Sequence, residues 1–246
     1  RLTGPLCRAK GIPVCETFWD STSAQKLVEL GIRPDIITAT AVFYHVADLH
    51  DFIAGLRRAM GSRTIFLAQC VYLKDVLEKL QFDHFYHEHT MIHAVAPLER
   101  AFARHGLRLL HVDYYDVHGG SFVLYAGLEE SEWRTTPTVA QAIAREKEAG
   151  LQDLRTYEGF ARQVERNRND LVSLLRKLRA EGRTVHALGA PLKGSTLLNY
   201  CGIGPELVDV ATEVNQFKIG RYTPGTHIPI VDEREEPRRP DYYLLL

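Results

Sequence analysis

Short apolar runs alternate with amphipathic segments along the first half of the chain. Apolar runs of strand length lie at residues 35–42, 64–68, 107–114 and 121–125, after a shorter run at 12–15. Segments with apolar residues at helical spacing lie between them, at residues 24–30, 51–60 and 98–105. This alternation predicts an α/β fold with a largely parallel sheet, in which residues 35–42 form a fully buried strand. The last two runs are separated only by a short connection with Gly119 and Gly120, so we expect them to pair antiparallel.

The second half of the chain begins with a long charged stretch and then returns to the strand–helix pattern. Residues 137–180 have leucines at helical spacing and no internal proline, which predicts one or two long helices. A second α/β unit follows, with a strand at 184–188, a glycine-bounded turn at 189–194, a helix at 195–201 and a strand at 207–212. We therefore predict two α/β domains with a cleft between them, residues 1–133 and residues 134–246, the second beginning with the linking helices.

The charge balance and the cysteines narrow the class of protein. Thirty Lys and Arg against 31 Asp and Glu leave a net charge of −1, which disfavours a general nucleic-acid binder. No apolar run approaches the ~18 residues of a membrane span, and no signal peptide is visible. The cysteines, which are too scattered for paired zinc knuckles, are Cys7, Cys15, Cys70 and Cys201. We expect buried small side chains at these positions, and a cytoplasmic protein without nucleic-acid or membrane partners.

The densest chemical feature is a histidine-rich segment, residues 81–89, followed by His93. Four of the eleven histidines lie within ten positions: His84, His87, His89 and His93. Histidine titrates near neutral pH, so the cluster suits proton transfer or substrate binding. If the segment is extended, Tyr86 and Glu88 share one face, and His87 and His89 share the other. Two alternatives remain open: a metal site, because His-x-His occurs in metal centres, and histidines with a purely structural role.

Three further positions are candidates for binding. His45 follows the run at 35–42, and ligands bind beyond the carboxyl ends of strands in open α/β sheets. The turn at 189–194 contains Lys193 and precedes a helix, which is typical of an anion site. Tyr222 and His227 lie in a loop rich in Pro and Gly, where binding residues are common. Each has a plainer alternative: a histidine without a role, a tight turn, and an ordinary surface loop.

Taken together, four strings in this sequence resemble a known family. They are residues 83–89 with Tyr-His-Glu-His, Gly-Gly-Ser at 119–121, Gly-Ala-Pro-x-Lys-Gly-x-Thr-Leu-Leu-Asn-Tyr-Cys-Gly at 189–202, and Gly-Arg-Tyr-x-Pro-Gly-Thr-His-Ile-Pro-Ile at 220–230. In this order they resemble the S-adenosylmethionine-dependent C-methyltransferases of deoxysugar biosynthesis, which include enzymes that methylate a ring carbon of a dTDP-linked ketosugar. The resemblance implies a class I methyltransferase-like Rossmann sheet in residues 1–133, truncated at its amino end. It implies a smaller Rossmann-like C-methyltransferase C-terminal domain in residues 134–246.

The sequence departs from the family in two ways. Family members carry an amino-terminal domain with a cysteine-ligated zinc and, after the first strand, a glycine-rich loop that holds the cofactor, and neither is present in these residues. The chain also starts without Met and stops within residues 242–246, a run that resembles a buried strand, so we expect a fragment. We therefore expect S-adenosylmethionine as the cofactor, bound poorly or not at all by this chain alone. Zinc is expected only in the missing domain, with no metal held here.

The resemblance also implies residue roles. A base removes the proton next to the ketone, and the enolate carbon attacks the sulfonium methyl group. The base is His89, with His45 as the alternative, while Tyr86 and Glu88 bind the sugar oxygens. The cofactor side comprises Phe18, Trp19, Ala39, Thr40 and Phe43. The nucleotide-sugar side comprises Lys193, Ser195, Asn199, Tyr222 and His227.

The resemblance leaves the assembly and two other functions open. We expect a dTDP-ketosugar partner and a monomer or homodimer. The alternative function is a non-catalytic remnant that binds a sugar nucleotide. A nicotinamide-dependent oxidoreductase is disfavoured, because no dinucleotide fingerprint is found.

Overall fold

The computed structural model describes residues 3–235 and 239–246 of the chain. These residues form two compact units, each built from two separate stretches of chain. The first unit contains the described residues up to Tyr72 together with Met91–Glu148, and the second contains Leu73–Thr90 together with Ala149–Leu246. Each unit has its own four-stranded sheet, so the predicted α/β fold class is confirmed. The proposed domains, with their boundary at 133/134, stay a prediction.

The described residues contain eight α-helices and eight strands. The helices are α1 (Thr3–Ala9), α2 (Ser21–Glu29), α3 (Leu49–Ala59), α4 (Leu73–Glu78), α5 (Val95–Ala103), α6 (Pro137–Glu148), α7 (Leu154–Ala180) and α8 (Leu192–Cys201). The strands are β1 (Ile36–Thr40), β2 (Ile65–Val71), β3 (Leu107–Tyr115), β4 (Ser121–Leu128), β5 (Val185–Leu188), β6 (Val210–Glu213), β7 (Ile230–Asp232) and β8 (Tyr242–Leu245). None of the helices in this part of the chain is both long and apolar enough to cross a membrane.

The sheet of the first unit has the order β1-β2-β4-β3. Only β1 and β2 are parallel, while β4 pairs antiparallel with both β2 and β3. The predicted antiparallel pairing of the last two strands is therefore confirmed. The prediction of a largely parallel sheet is wrong for this unit, because β4 returns from the turn at Gly119 and Gly120 into the sheet beside β2.

The first strand is more exposed than its composition indicates. Ile36 is 63% exposed, and only Ala39 in β1 is buried. The prediction of a fully buried strand is wrong because β1 lies at the edge of its sheet, paired with β2 on one side. The apolar run at 12–15 forms neither a helix nor a strand.

Aromatic rings form the centre of the core in the first unit. The side chains of Phe43, Phe66 and Phe102 are fully buried, and Phe52 is 6% exposed. Their ring centroids are 5.2–6.2 Å apart where they contact one another. Burial of each such side chain stabilises the fold by about 1.5–3 kcal/mol. This cluster therefore anchors the turn that follows β1, to which Phe43 belongs.

A buried carboxylate caps helix α5. Glu146 on α6 is 3% exposed, and its two oxygens accept hydrogen bonds from the N–H groups of Val95 and Ala96, at 2.6 and 2.9 Å. Burial raises the pKa of Glu146, although the two N–H groups oppose that shift. The cap of α5 is thus supplied by a residue about 50 positions further along the chain.

The second unit contains the wholly parallel sheet. Its order is β7-β6-β5-β8, and every neighbouring pair is parallel. Its core includes Leu175 and Leu178 of α7, Ala187 of β5 and Leu198 of α8. The two strand–helix series therefore form separate sheets. The stretch at 137–180 forms two helices, of which α6 belongs to the first unit and α7 to the second.

Two further expectations about burial are wrong in part. Strand β8 lies at the edge of the second sheet, and Leu245 is 75% exposed, so the final run is not a buried strand. Cys70 and Cys201 are buried as predicted, whereas Cys15 is exposed and Cys7 is half-buried, because they lie in the amino-terminal segment outside either sheet. All four thiols are free.

Candidate functional site

The histidine-rich segment forms a compact turn in the second unit. The N–H of His89 donates to the carbonyl of Tyr86 at 3.0 Å, and the two rings lie 4.1 Å apart. The ring of His84 stacks on that of His89 at 5.7 Å. His87 is largely exposed, and its Nε2 lies 3.9 Å from Oε1 of Glu88. The prediction that Tyr86 and His89 lie on opposite faces assumed an extended segment. It is wrong, because the turn brings the rings of Tyr86 and His89 together.

Tyr86 is a neutral hydrogen-bond donor in this turn. Burial raises the pKa of its hydroxyl, with smaller contributions from the charges of Glu88 and Asp83. A phenol that holds its proton beside an imidazole gives one donor and one base within a few ångströms. This pairing can bind a carbonyl oxygen and accept a proton from the adjacent carbon.

His93 has a structural role in the core of the first unit. It is 5% exposed, its ring stacks on Phe43 at 5.0 Å, and its Nε2 lies 3.4 Å from the Phe43 carbonyl oxygen. Burial lowers its pKa to about 4, and the hydrogen bond with Phe43 offsets only part of that shift. His93 is therefore neutral near pH 7, and it belongs to the first unit, whereas His89 belongs to the second.

The Gly-rich turn and the histidine-rich segment lie together in the second unit. Lys193, the second residue of α8, places its Nζ 3.1 Å from Oδ2 of Asp83. Phe82 packs against Tyr200 at the other end of α8, with ring centroids 5.3 Å apart. The sequence pattern does not connect these two features, and it predicts no role for Asp83. The structure joins them through one ion pair and one aromatic contact.

Helix α8 starts three residues earlier than predicted, at Leu192. Gly189 has a φ of +86°, a left-handed conformation that favours glycine and turns the chain from β5 towards the helix. The carbonyl of Ala190 accepts a hydrogen bond from Nζ of Lys218 at 2.9 Å. Lys218 also lies 3.1 Å from Oε2 of Glu213, at the end of β6.

Glu213 and Lys218 are site residues that sequence analysis missed. Burial pushes the pKa of Glu213 upwards, but the N–H groups of Asn215 and Val214 and the charge of Lys218 outweigh it, so that the pKa is lowered. The carboxylate therefore lies charged at the carboxyl end of a parallel strand, where ligands commonly bind. Its position directly after the predicted strand at 207–212 was the available signal.

The predicted nucleotide-sugar residues fall into two groups. Nδ2 of Asn199 donates to the carbonyl of Ser195 at 2.7 Å and to that of Pro224 at 2.9 Å, which ties the loop at 220–230 to α8. Tyr222 is 62% exposed, and His227 is exposed at a left-handed φ of +57°. Asn199 thus holds the loop, whereas the side chains of Tyr222 and His227 remain accessible.

The predicted cofactor residues lie in the first unit: Ala39 and Thr40 at the carboxyl end of β1, Phe43 in the turn after it, and Phe18 and Trp19 before α2. Ala39 is buried and Thr40 is exposed, while the side chain of Phe43 is enclosed by the aromatic core, which leaves its backbone for any cofactor contact. Phe18 is 91% exposed, and Nε1 of Trp19 donates to the Phe52 carbonyl at 3.1 Å.

The turn after β1 is held from the neighbouring strand. Ala41 has a left-handed φ of +53°, and its N–H donates to Oε1 of Gln69 at 3.1 Å. The turn continues into a short 3-10 helix, Phe43–His45, that exposes His45. Because His45 lies in the first unit and His89 in the second, their convergence on one wall of a cleft stays a prediction. Gln69 is a further residue that sequence analysis missed.

Within the described ranges, no three His, Cys, Asp or Glu side chains are grouped so that they could hold a metal ion. His87 and His89 are therefore not part of a larger ligand set in this part of the chain.

We expect the ion pair of Lys193 and Asp83 to contribute little to the free energy of unfolding. Both side chains are about one-third exposed, so a double-mutant cycle with Lys193→Met and Asp83→Asn should give a coupling of about 0.2–1 kcal/mol. Urea denaturation at low and high salt measures it, and the coupling should fall as salt is added. A salt-independent coupling would contradict this assignment. The surface pair Arg155 and Asp153 is the matched control.

Comparison with known proteins identifies the family. Residues 116–246 match the C-methyltransferase C-terminal domain. The C-methyltransferase NovU of Streptomyces niveus is 37% identical over 205 residues, which are 83% of this chain and 49% of NovU. The chain thus spans about half the length of this relative.

Similarity to solved structures is weak. LaPhzM has a TM-score of 0.32 and 15% identity, with 44% of this chain and 40% of that chain covered. The O-methyltransferase NcsB1 from neocarzinostatin biosynthesis has a TM-score of 0.31 and 16% identity, with 44% and 39% covered. Similarity at this level says nothing about function.

The match of residues 116–246 to the C-methyltransferase C-terminal domain covers more than half of this chain, and the similarity to NovU agrees with it. The chain therefore belongs to the C-methyltransferase family, as the resemblance of its motifs predicted.

Proposed function

We propose that this chain forms the sugar-binding and proton-abstracting part of an S-adenosylmethionine-dependent C-methyltransferase. The substrate is a nucleotide-linked ketosugar of the dTDP type, methylated on a ring carbon next to its ketone. The observation that carries this proposal is the ring contact of 4.1 Å between Tyr86 and His89. Membership of the C-methyltransferase family supports the reaction type.

In this proposal the turn provides the base and the oxygen ligand of an enolisation. His89 accepts the proton from the carbon beside the ketone, and the C–H electron pair moves into the enolate. Tyr86 donates its hydroxyl hydrogen to the oxygen on which negative charge develops. Glu88 is about half-exposed, and its carboxylate is assigned to a sugar hydroxyl, a contact that would orient the ring.

The residues at the carboxyl end of β1 fit part of the cofactor. Thr40 and the backbone of Ala41–Phe43 are candidates for its methionine end, and the exposed ring of Phe18 offers an aromatic face for adenine. When bound, S-adenosylmethionine supplies the electrophilic methyl group that the enolate carbon takes. His45, exposed next to this turn, is the alternative base.

The nucleotide diphosphate is assigned to α8 and the loop at 220–230. The amino end of α8 carries a partial positive charge, and Lys193 adds a full one beside it. Ser195 lies in the first turn of the same helix, Asn199 fixes the loop, and Tyr222 and His227 present exposed rings from it.

The experiment separates catalysis from binding. The chain is incubated in deuterated water with dTDP-linked ketosugars, first without and then with S-adenosylmethionine, and the sugars are analysed by mass spectrometry. Deuterium uptake next to the ketone supports the proposal, and gain of a methyl group in addition shows that this chain also holds the cofactor. Binding of the nucleotide sugar without exchange supports the non-catalytic remnant instead. If the chain shows neither binding nor exchange, both functions are overturned.

A further inference from the structure

A second cluster of reactive side chains lies on β3 in the first unit, among residues that the proposed methyl transfer does not use. His111 and Asp113 are two positions apart on β3 and therefore face the same side of the sheet. Oδ1 of Asp113 lies 2.9 Å from Nε2 of His111. The other ring nitrogen, Nδ1, lies 2.8 Å from Oγ1 of Thr136.

The hydrogen bonds of this cluster have a defined direction at the histidine. A carboxylate accepts hydrogen bonds only, so Nε2 carries the proton and Nδ1 presents its lone pair. The backbone N–H of Val112 donates to Oγ1 of Thr138 at 3.0 Å, and that oxygen lies 2.8 Å from Oγ1 of Thr136. Oγ1 of Thr138 also lies 3.2 Å from Nδ1 of His111, against 2.8 Å for Oγ1 of Thr136. The chain of donation with the shorter contacts therefore runs from Val112 through Thr138 to Thr136 and ends at Nδ1 of His111. The hydroxyl of Thr136 is thus polarised by a histidine that a carboxylate orients.

A β-bulge places these side chains together. The register between β3 and β4 shifts between Leu109 and His111, which leaves Leu110 as the extra residue. Its carbonyl accepts a hydrogen bond from the N–H of Thr136 at 2.8 Å, and the Leu109 carbonyl accepts one from the Thr135 hydroxyl at 2.9 Å. Bulges often redirect a side chain beside an active site, and this one docks the segment before α6 against His111.

An open cavity of about 350 Å³ lies directly beside the cluster. His111, Asp113 and Thr136 all line it. Its other lining residues are mostly apolar or aromatic, with one guanidinium: Ile65, Leu110, Tyr125, Trp133 and Arg134. The indole of Trp133 is held by a hydrogen bond from its Nε1 to the Arg63 carbonyl at 3.1 Å. A compact apolar group would fit this volume, with Arg134 available to a carbonyl oxygen.

We propose that Thr136, His111 and Asp113 form a nucleophilic centre that accepts acyl groups from small esters or thioesters with a compact apolar acyl part. The Thr136 proton moves to Nδ1 of His111 as Oγ1 bonds to the carbonyl carbon. The bond from that carbon to the alcohol or thiol then breaks, and His111 returns the proton to the leaving group. A water molecule, deprotonated by His111, hydrolyses the threonine ester and restores the centre.

This proposal is independent of methyl transfer, so the chain is assayed without S-adenosylmethionine or a sugar. The probes are p-nitrophenyl acetate and p-nitrophenyl butyrate, with acid quenching and peptide mass spectrometry to locate the acyl group. We expect acylation of Thr136 and release of p-nitrophenol. Thr136→Val, which is isosteric, should abolish both. His111→Gln should slow them by about 10²-fold or more, the contribution of a general base.

Three controls keep the test decisive. Thr136→Ser retains the hydroxyl and should retain acylation, which a merely structural threonine would not predict. Thr226, whose hydroxyl contacts that of Thr223 at 2.8 Å, is the matched threonine and should stay unlabelled. Urea denaturation verifies that each variant is folded. A Thr136→Val variant that is acylated as fast as the wild type, or label found only on lysines or on His111, would overturn the proposal.

Discussion

Replacing His89 with Asn is expected to slow methyl transfer by roughly 10²–10⁴-fold in an enzyme with a complete cofactor site, the usual contribution of general acid–base catalysis. The reason is that His89 is the proposed base, and its ring centroid lies 4.1 Å from that of Tyr86. Binding of S-adenosylmethionine should change little, because His89 is assigned to the sugar. Steady-state rates and cofactor binding, measured on the same preparations, check both parts.

Proton exchange gives the sharper measurement. With the methyl donor withheld, the wild type should exchange the substrate proton with deuterated water, and His89→Asn should lose that exchange. His87→Asn is the matched control, since His87 lies two positions away and its side chain is 83% exposed. Exchange retained while methylation is lost would move the base role to His45. Full activity in His89→Asn would remove the histidine-rich segment from the mechanism.

The sequence predicts those elements whose signals are local. Helix α3, strand β2 and the antiparallel pair of β3 and β4 follow from apolar spacing and from the glycines between the last two strands. Strands β1 and β8 also come from apolar runs, yet both lie at sheet edges and are largely exposed. Burial of a strand depends on its neighbours, which a run of apolar residues does not specify.

Helix α5 shows how a distant residue moves an element boundary. The apolar spacing predicts a start at residue 98, but the helix begins at Val95 and includes Pro97 in its first turn, where proline is tolerated. Ala94 precedes the helix and has no side chain that could cap it. The cap comes from the carboxylate of Glu146, so no signal near the start of the helix could mark it.

The candidate site was predictable in composition but not in geometry. The histidine-rich segment and Lys193 stood out as residue types, whereas the contact of Tyr86 with His89 depends on a turn that the sequence pattern did not indicate. The pair of Asp83 and Lys193 joins residues 110 positions apart. His111 and Thr136 are likewise distant in sequence and meet because a bulge shifts the register of β3.

Acid should lower the free energy of unfolding through protonation of His93. This contribution can be separated from those of the other titrating groups. Because burial lowers its pKa from 6.5 to about 4, the neutral ring stabilises the folded state. That stability is present above the unfolded-state pKa and is lost as the pH falls through 6.5 towards 4. At about 1.4 kcal/mol per pKa unit, the full loss is about 3.5 kcal/mol, of which about 2 kcal/mol falls between pH 7 and pH 5.

The variant His93→Phe retains a ring to stack on Phe43 but does not titrate. The free energy of unfolding of the wild type, minus that of His93→Phe, should therefore decrease by about 2 kcal/mol between pH 7 and pH 5 in urea denaturation. Subtracting the variant removes the contributions of other titrating groups, including His105, whose pKa is also lowered, by burial and by His50. His118→Asn, at an exposed turn, controls for the loss of a histidine outside the core. A difference that stays constant over this range would show that His93 is not the neutral, buried group that holds the turn after β1.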